Sequence, residues 1–468
     1  MNSKKGLLLL CISITAYGSA LGQADIVLSQ SDIATGTPYY IEKATTDFRI
    51  SAPGSTRGKI YTFAGTSSFS AVGGTRAGIP LNQVFMKLIS VGDYLVTGTA
   101  PEINLSTQSQ NIYDGHLFHL RGAVSIGYRI PIANYSWPAG TYETNLRFTK
   151  TGFSNATIGD DKKLTLTIPS FMEAPGVLNP PDPVLHVNSL DYYRNIPEVS
   201  ATINLGDVIS TVPFNILSRA TSYHYTFTGA AGGTATIPYG GNGVSFSTNA
   251  ASPLPLKNIY HPMFRSHVPV PVGNRTHVEL HYFISRSFLN NDFKSAGEYT
   301  LPISYSIYAP DDYYDGVTPP PQANSAGSVL KVLVDDMAEL LVNDAEVNLE
   351  FNTAADYVNG TSAEMTAHLK LSKTTPYDVY VKASATDLSN GTSSIPVNII
   401  KVGPANGQTG VQTITLSATP AKIISGAEPV IDRNLGIKYT IDPADAKTLV
   451  DKAPGVFTVN VIYSFIAN

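Results

Sequence analysis

The sequence predicts an all-β chain built from three tandem β-sandwich units. Three observations lead there: a composition rich in turn formers and tyrosine, a strand motif that occurs three times, and almost no helical periodicity. At roughly 100–200 residues per domain, 468 residues are too many for one sandwich. Gly (38), Pro (31) and Tyr (26) are abundant, while charged residues make up 14%. That is the balance of short strands and many turns, not of long charged helices.

The repeated motif reads "PAGTYETNLRFTK" from Pro138, "SAGEYTLPISYSIYA" from Ser295 and "APGVFTVNVIYSFIA" from Ala453. Each copy has a glycine, an aromatic two places on, an aliphatic at plus six and an aromatic at plus eight: Gly140, Tyr142, Leu146, Phe148; Gly297, Tyr299, Ile303, Tyr305; Gly455, Phe457, Val461, Tyr463. An upstream strand accompanies each, with Tyr128 and Ile130, Tyr282 and Ile284, and Tyr439 and Ile441. Such self-similarity at a fixed long period marks a repeat architecture. Alternate side chains of a strand share a face, so the apolar set of each copy faces a core and the polar set faces water. The glycine lets the chain turn into the strand where a side chain would obstruct it, and the following aromatic is placed to pin that corner. Pro302, on the polar face of the second copy, lacks an N–H and suits an edge strand.

A second alternating element follows the first two glycine strands, Asp161 to Ala174 and Ser328 to Leu340. It either closes the sandwich before it or opens the next. Roughly equal unit lengths favour opening, which gives units of Gln23–Ile158, Gly159–Thr318 and Pro319–Asn468. The Pro-rich Asp311 to Ser328 is the expected linker between the second and third units, and Ala174 to Val184 is the rival boundary between the first two. The best helix candidate, "DPADAKTLVDKA" from Asp442, amounts to one or two turns.

The first 22 residues, with Lys4, Lys5, an apolar run from Leu7 and small residues at Ala20 and Gly22, read as a secretory signal peptide cut after Gly22. Cys11, the only cysteine, falls inside it. Export without disulfides points to a bacterium. A net charge of -5 and no basic run beyond the N-terminus give no footprint for nucleic acid. No later stretch reaches the roughly 18 apolar residues of a membrane span. The expected localisation is the cell surface, a fimbrium or the medium, after transit through the periplasm.

Candidate chemistry is sparse. His277, Glu279 and His281 alternate in "HVELH", but Leu280, Tyr282 and Ile284 match the core face of the other copies, so the three polar residues face water and no metal site is expected. His116 and His119, His261 and His267, and the acids Asp311, Asp312 and Asp315 have no ligand geometry. No nucleophile elbow, phosphate loop, zinc helix or paired-carboxylate signature occurs, so no catalytic residue, no cofactor and no enzyme activity is expected. "NGT" at Asn359 and Asn390 reads as turn chemistry, and the sole Trp137 as a buried residue above the glycine corner.

The closing motifs "PAGTYETNLRF" and "APGVFTVNVIYSF" resemble the last strand of fimbrial subunits, in particular the spore coat protein U group and the pilins of archaic chaperone-usher systems. "AEVNLEFNTAADYVNG" and "TTPYDVYVKAS" resemble the early strands of that domain. The resemblance implies an immunoglobulin-like sandwich missing its seventh strand, filled first by a chaperone and then by the N-terminal extension of a neighbouring subunit. It implies an assembly strand of Gly455, Phe457, Val459, Val461, Tyr463 and Phe465 lining the accepting groove. The expectation is an exported bacterial surface or fimbria-associated adhesin or structural subunit, its third unit for assembly and its first for distal binding. Its partners would be other fimbrial or surface subunits, a periplasmic chaperone, and a host or glycan ligand. The alternative is a secreted carbohydrate-binding protein outside any fibre.

Overall fold

The structure is a computed structural model. It describes residues 23–467 apart from 51–56, 74–75, 93, 96–97, 118–120, 134, 160, 231, 240–242, 249–252, 266–275, 310–321 and 326. The expected signal peptide and Asp311, Asp312 and Asp315 lie outside the described residues, as do His119 and His267. The chain is all-β, with strands arranged as facing sheets around three large hydrophobic cores.

The first core is built by β1 (Gln23–Val27), β2 (Tyr39–Ile50), β3 (Arg57–Ala64), β4 (Phe85–Val91), β5 (Gln110–His116), β6 (Arg121–Ile130), β7 (Gly140–Thr151) and β8 (Lys162–Ile168). One sheet runs β1-β8-β7-β3-β5 and the facing sheet contains β2-β6-β4. Between β1 and β2 lies the short helix α1 (Gln30–Thr35), started by a capping box between Ser29 and Asp32. Trp137 is 1% exposed and its indole N–H donates to the Ile132 carbonyl at 2.8 Å.

The second core repeats this plan with β9 (Val184–Val187), β10 (Glu198–Ser210), β11 (Asn215–Ala220), β12 (His224–Gly229), β13 (Thr276–Ser285), β14 (Gly297–Tyr308) and β15 (Ser328–Val334). Helix α2 (Asp191–Arg194) joins β9 to β10, and α3 (Arg286–Asp292) follows β13. The third core uses β16 (Ala338–Val342), β17 (Thr361–Lys373), β18 (Tyr377–Ala383), β19 (Ile400–Pro404), β20 (Ala421–Ala427), β21 (Val430–Ile441) and β22 (Val461–Ala467). Helix α4 (Ala354–Asn359) precedes β17, and α5 (Pro443–Ala446) is the one-turn helix expected from Asp442. Among the described residues no helix is long and apolar enough to cross a membrane.

The repeated motif holds in three dimensions. Gly140, Gly297 and Gly455 have φ of +138°, +147° and +154°, values that side chains rarely adopt. The Tyr299 hydroxyl donates back to the Ser295 carbonyl at 3.0 Å, pinning the corner before the strand. Phe457 has no hydroxyl to do the same.

Two expectations are corrected. The element after each glycine strand does not open the next unit; it pairs backwards. β8 runs antiparallel to β7, Leu166 opposite Tyr142, and parallel to β1, Leu166 opposite Ile26. β15 runs antiparallel to β14, Val332 opposite Tyr299, and parallel to β9, Val332 opposite Leu185. Each therefore closes the sandwich before it. Even the described end of the expected linker, Gln322–Asn324, pairs with β14. Nor is Pro302 on an edge: β15 flanks it on one side, and its carbonyl accepts from Thr221 N–H at 2.8 Å on the other. Its missing N–H falls where pairing with β12 stops at Thr300 and pairing with β11 starts at Ile303, so no ladder bond is lost.

Candidate functional site: an unclosed sandwich edge

In the first two sandwiches the order strand, short helix, long strand places β1 or β9 beside the closing strand. The third has the same order up to a point. Residues 345–352 precede α4, which begins with a capping box between Thr353 and Asp356. The Asp356 carboxylate accepts from Asn352 N–H at 2.8 Å and Thr353 N–H at 2.7 Å. These bonds hold its carboxyl below the usual range and anchor the end of the segment. Val347, Leu349 and Phe351 alternate with exposed residues and turn towards the core. Among the described residues the segment has no ladder partner.

The other wall is the third glycine strand. Among the described residues β22 pairs only with β18, in the sheet order β20-β18-β22. Thr458 exchanges both backbone bonds with Ser389, at 3.1 and 3.0 Å, and the Asn460 carbonyl accepts from Ser384 N–H at 2.8 Å. In an antiparallel ladder successive residues point their backbone groups to opposite sides. The N–H and C=O of Phe457, Val459 and Val461 therefore point to the open side. The same line in the closed units, Gly140–Leu146 and Gly297–Ile303, is where β8 and β15 pair.

Burial follows from this difference. Tyr142 and Leu146 are 0% exposed, as is Leu301, and Ile26 and Leu185 opposite are 0% as well. In the third unit Phe457, Val459, Val461, Tyr463 and Phe465 are only half-buried, and so are Val347, Leu349 and Phe351. Two apolar rows face a slot that in the other two units holds a strand with Leu164, Leu166 and Ile168 or Leu330, Val332 and Val334. The alternation of Val347, Leu349 and Phe351 is legible as a strand; nothing local identifies it as the second wall.

Beneath the slot lies a polar knot absent from a purely aliphatic core. The Tyr439 and Tyr463 hydroxyls are 2.6 Å apart, and His368 Nε2 is 3.1 Å from the Tyr439 hydroxyl. Burial pushes the Tyr439 phenol up to about 12 and lowers the His368 imidazole, the Asp344 charge opposing the latter. Phe465 meets Tyr377 edge-on at 5.4 Å.

The other sequence candidates stay apart from this site. His277, Glu279 and His281 lie on the outer face of β13, where His277 pairs with Asp207 and Glu279, and His281 with Glu198. Among the described residues no group of three His, Cys, Asp or Glu is placed to hold a metal ion. Asn390 caps its own turn, accepting from Thr392 and Ser393 N–H.

No family model matches the chain, and no curated protein matches it in sequence. Among solved structures it is similar to CfaE, the adhesive subunit of CFA/I fimbria of enterotoxigenic Escherichia coli, at 9% identity and a TM-score of 0.30, over 68% of this chain and 99% of that one. It is similar to the CsuC-CsuE chaperone-tip adhesion subunit pre-assembly complex from archaic chaperone-usher Csu pili of Acinetobacter baumannii, at 14% and 0.28, over 61% and 97%. It is also similar to the CupB6 tip adhesin from Pseudomonas aeruginosa, at 12% and 0.28, over 64% and 91%.

Proposed function

We propose that the chain is an exported bacterial surface or fimbria-associated adhesin or structural subunit that acts by binding and assembly. The three units run 23–168, 172–334 and 338–467. The third is completed by β-strand addition from a partner, either another subunit or a periplasmic chaperone, and the first presents the distal binding face. The observation that carries this reading is that one slot is occupied within the chain by β8 and again by β15 but, among the described residues, has no occupant beside β22. The incoming strand runs antiparallel to Gly455–Val461 and parallel to residues 345–352. Its backbone meets the outward N–H and C=O groups while two or three alternate aliphatic side chains fill the half-buried rows. Burying about three such side chains contributes roughly 1.5–3 kcal/mol each.

The test is to supply the strand in cis. A copy of Lys162–Ile168 joined after Asn468 through a flexible linker should raise the melting temperature of the third unit and abolish capture of strands in trans. An unchanged melting temperature together with unchanged capture would overturn the reading.

A further inference from the structure

The second sandwich contains a cavity that takes no part in strand addition. Its volume is about 150 Å³, room for a group the size of benzene. Three rings stand at right angles around one corner: Tyr225 on β12 meets Tyr239 at 5.3 Å and 89°, and Phe293 at 5.4 Å and 80°. Phe288 on α3 adds a fourth aromatic, and Gly243 leaves one side without a side chain. Asp292, the last residue of α3, completes the lining and is exposed.

Two groups here are unpaired. Tyr225 is only 4% exposed, and its hydroxyl has no hydrogen-bond partner among the described residues. Such an orphan is destabilising unless something in the cavity meets it. Asp292 has no ion-pair partner among the described residues, and it stands at the negative end of α3. Burial above all, with Tyr239 and the Asp292 charge adding to it, pushes the Tyr225 phenol up, so the hydroxyl is neutral and has an oxygen free to accept.

Ring faces attract cations, the carboxylate repels anions, and the Tyr225 oxygen can accept from an ammonium N–H or turn its dipole towards a quaternary nitrogen, whereas a neutral apolar guest leaves the Asp292 charge unmatched. We propose that this cavity is a binding site for a small organic cation, an alkylammonium or quaternary ammonium group, boxed by Tyr225, Tyr239, Phe288 and Phe293 and paired with Asp292. The site is independent of the open edge of the third unit.

The experiment is calorimetric titration of the full chain with tetramethylammonium, choline and phosphatidylcholine vesicles, the last separating a free amine from a lipid headgroup. Saturable binding of at least one is expected, weakened about tenfold or more by Asp292→Asn. Gly243→Leu, which directs a side chain to within reach of the Tyr225 hydroxyl, 3.8 Å from an added Cβ, should abolish it with the melting temperature kept. The neutral choline isostere 3,3-dimethyl-1-butanol should bind about tenfold more weakly than choline. Equal binding of the isostere marks a plain apolar cavity, and absence of saturation marks a cavity that holds water only; either result overturns the proposal.

Discussion

The hydroxyls of Tyr439 and Tyr463 meet at 2.6 Å across the third core, tying β21 of one sheet to β22 of the other. The second core repeats the device with Tyr282 and Tyr305 at 2.7 Å. In the third unit the bridge fastens the strand whose outer edge is open, and His368 extends it. Tyr439→Phe leaves both His368 Nε2 and the Tyr463 hydroxyl without this partner, at about 1–3 kcal/mol per buried group. Tyr463→Phe leaves Tyr439 bonded to His368 and should cost about 1 kcal/mol. Urea unfolding of the two variants should rank them in that order.

His368 makes the third unit acid-sensitive. It is 2% exposed, its Nδ1 has no hydrogen-bond partner among the described residues, and the Asp344 carboxylate is 3.8 Å from that nitrogen. Burial lowers its folded pKa against the Asp344 charge. The unfolded chain therefore takes up the proton first as pH falls. Stability is unaffected above the unfolded value near 6.5, declines below it, and levels off once the folded pKa is passed. Calorimetric melting between pH 7.5 and 5 should show this decline in one transition, and His368→Gln should flatten it.

The glycine corners differ in how tightly they are built. A Cβ on Gly297 would sit 2.2 Å from the Thr228 carbonyl oxygen, whereas on Gly455 it meets only the Asn390 side-chain amide at 3.2 Å. Both carry the strain of a positive φ, about 1–3 kcal/mol. Gly297→Ala should exceed that figure in thermal denaturation, and Gly455→Ala should stay within it.

Arg194 on α2 couples the second core to the third. Its guanidinium donates to Asp432 at 3.0 Å and to Glu339, while Lys370 approaches Asp432 at 3.3 Å. Burial works against the Asp432 charge, but Arg194 and Lys370 more than offset it, so the carboxyl titrates below its usual range. Its contribution is present above the unfolded value near pH 4 and is lost as pH falls through the folded one. Arg194→Ala leaves Glu339 and Asp432 without their shared cation. It should split a coupled calorimetric transition into two; a single unchanged transition would show that the joint carries no coupling.

The strands and their inward faces were legible because period-two alternation is local: Tyr142, Leu146 and Phe148 need no knowledge of their neighbours. The closing strands read in the sequence as openers of the next unit because their partners are remote, Leu166 lying beside Ile26, and no local pattern encodes a parallel contact over that separation. Pro302 reads as an edge residue until the change of partner from β12 to β11 is seen. The last strand, Phe457 to Phe465, could be read as a strand from the repeat, but the row facing it, Val347 to Phe351, could not be placed there, since half-burial depends on what lies between them. Arg194 and the Tyr225 cavity left no sequence signal, because each joins residues from separate elements.

Amide hydrogen exchange at Phe457, Val459 and Val461, with and without a peptide copying Lys162–Ile168, tests strand addition most directly. The open edge predicts fast exchange of these three amides in the free chain and marked slowing when the peptide is added, while Thr458, already paired with Ser389, changes little. Slow exchange of all three in the free monomer, or fast exchange under saturating peptide, would contradict it.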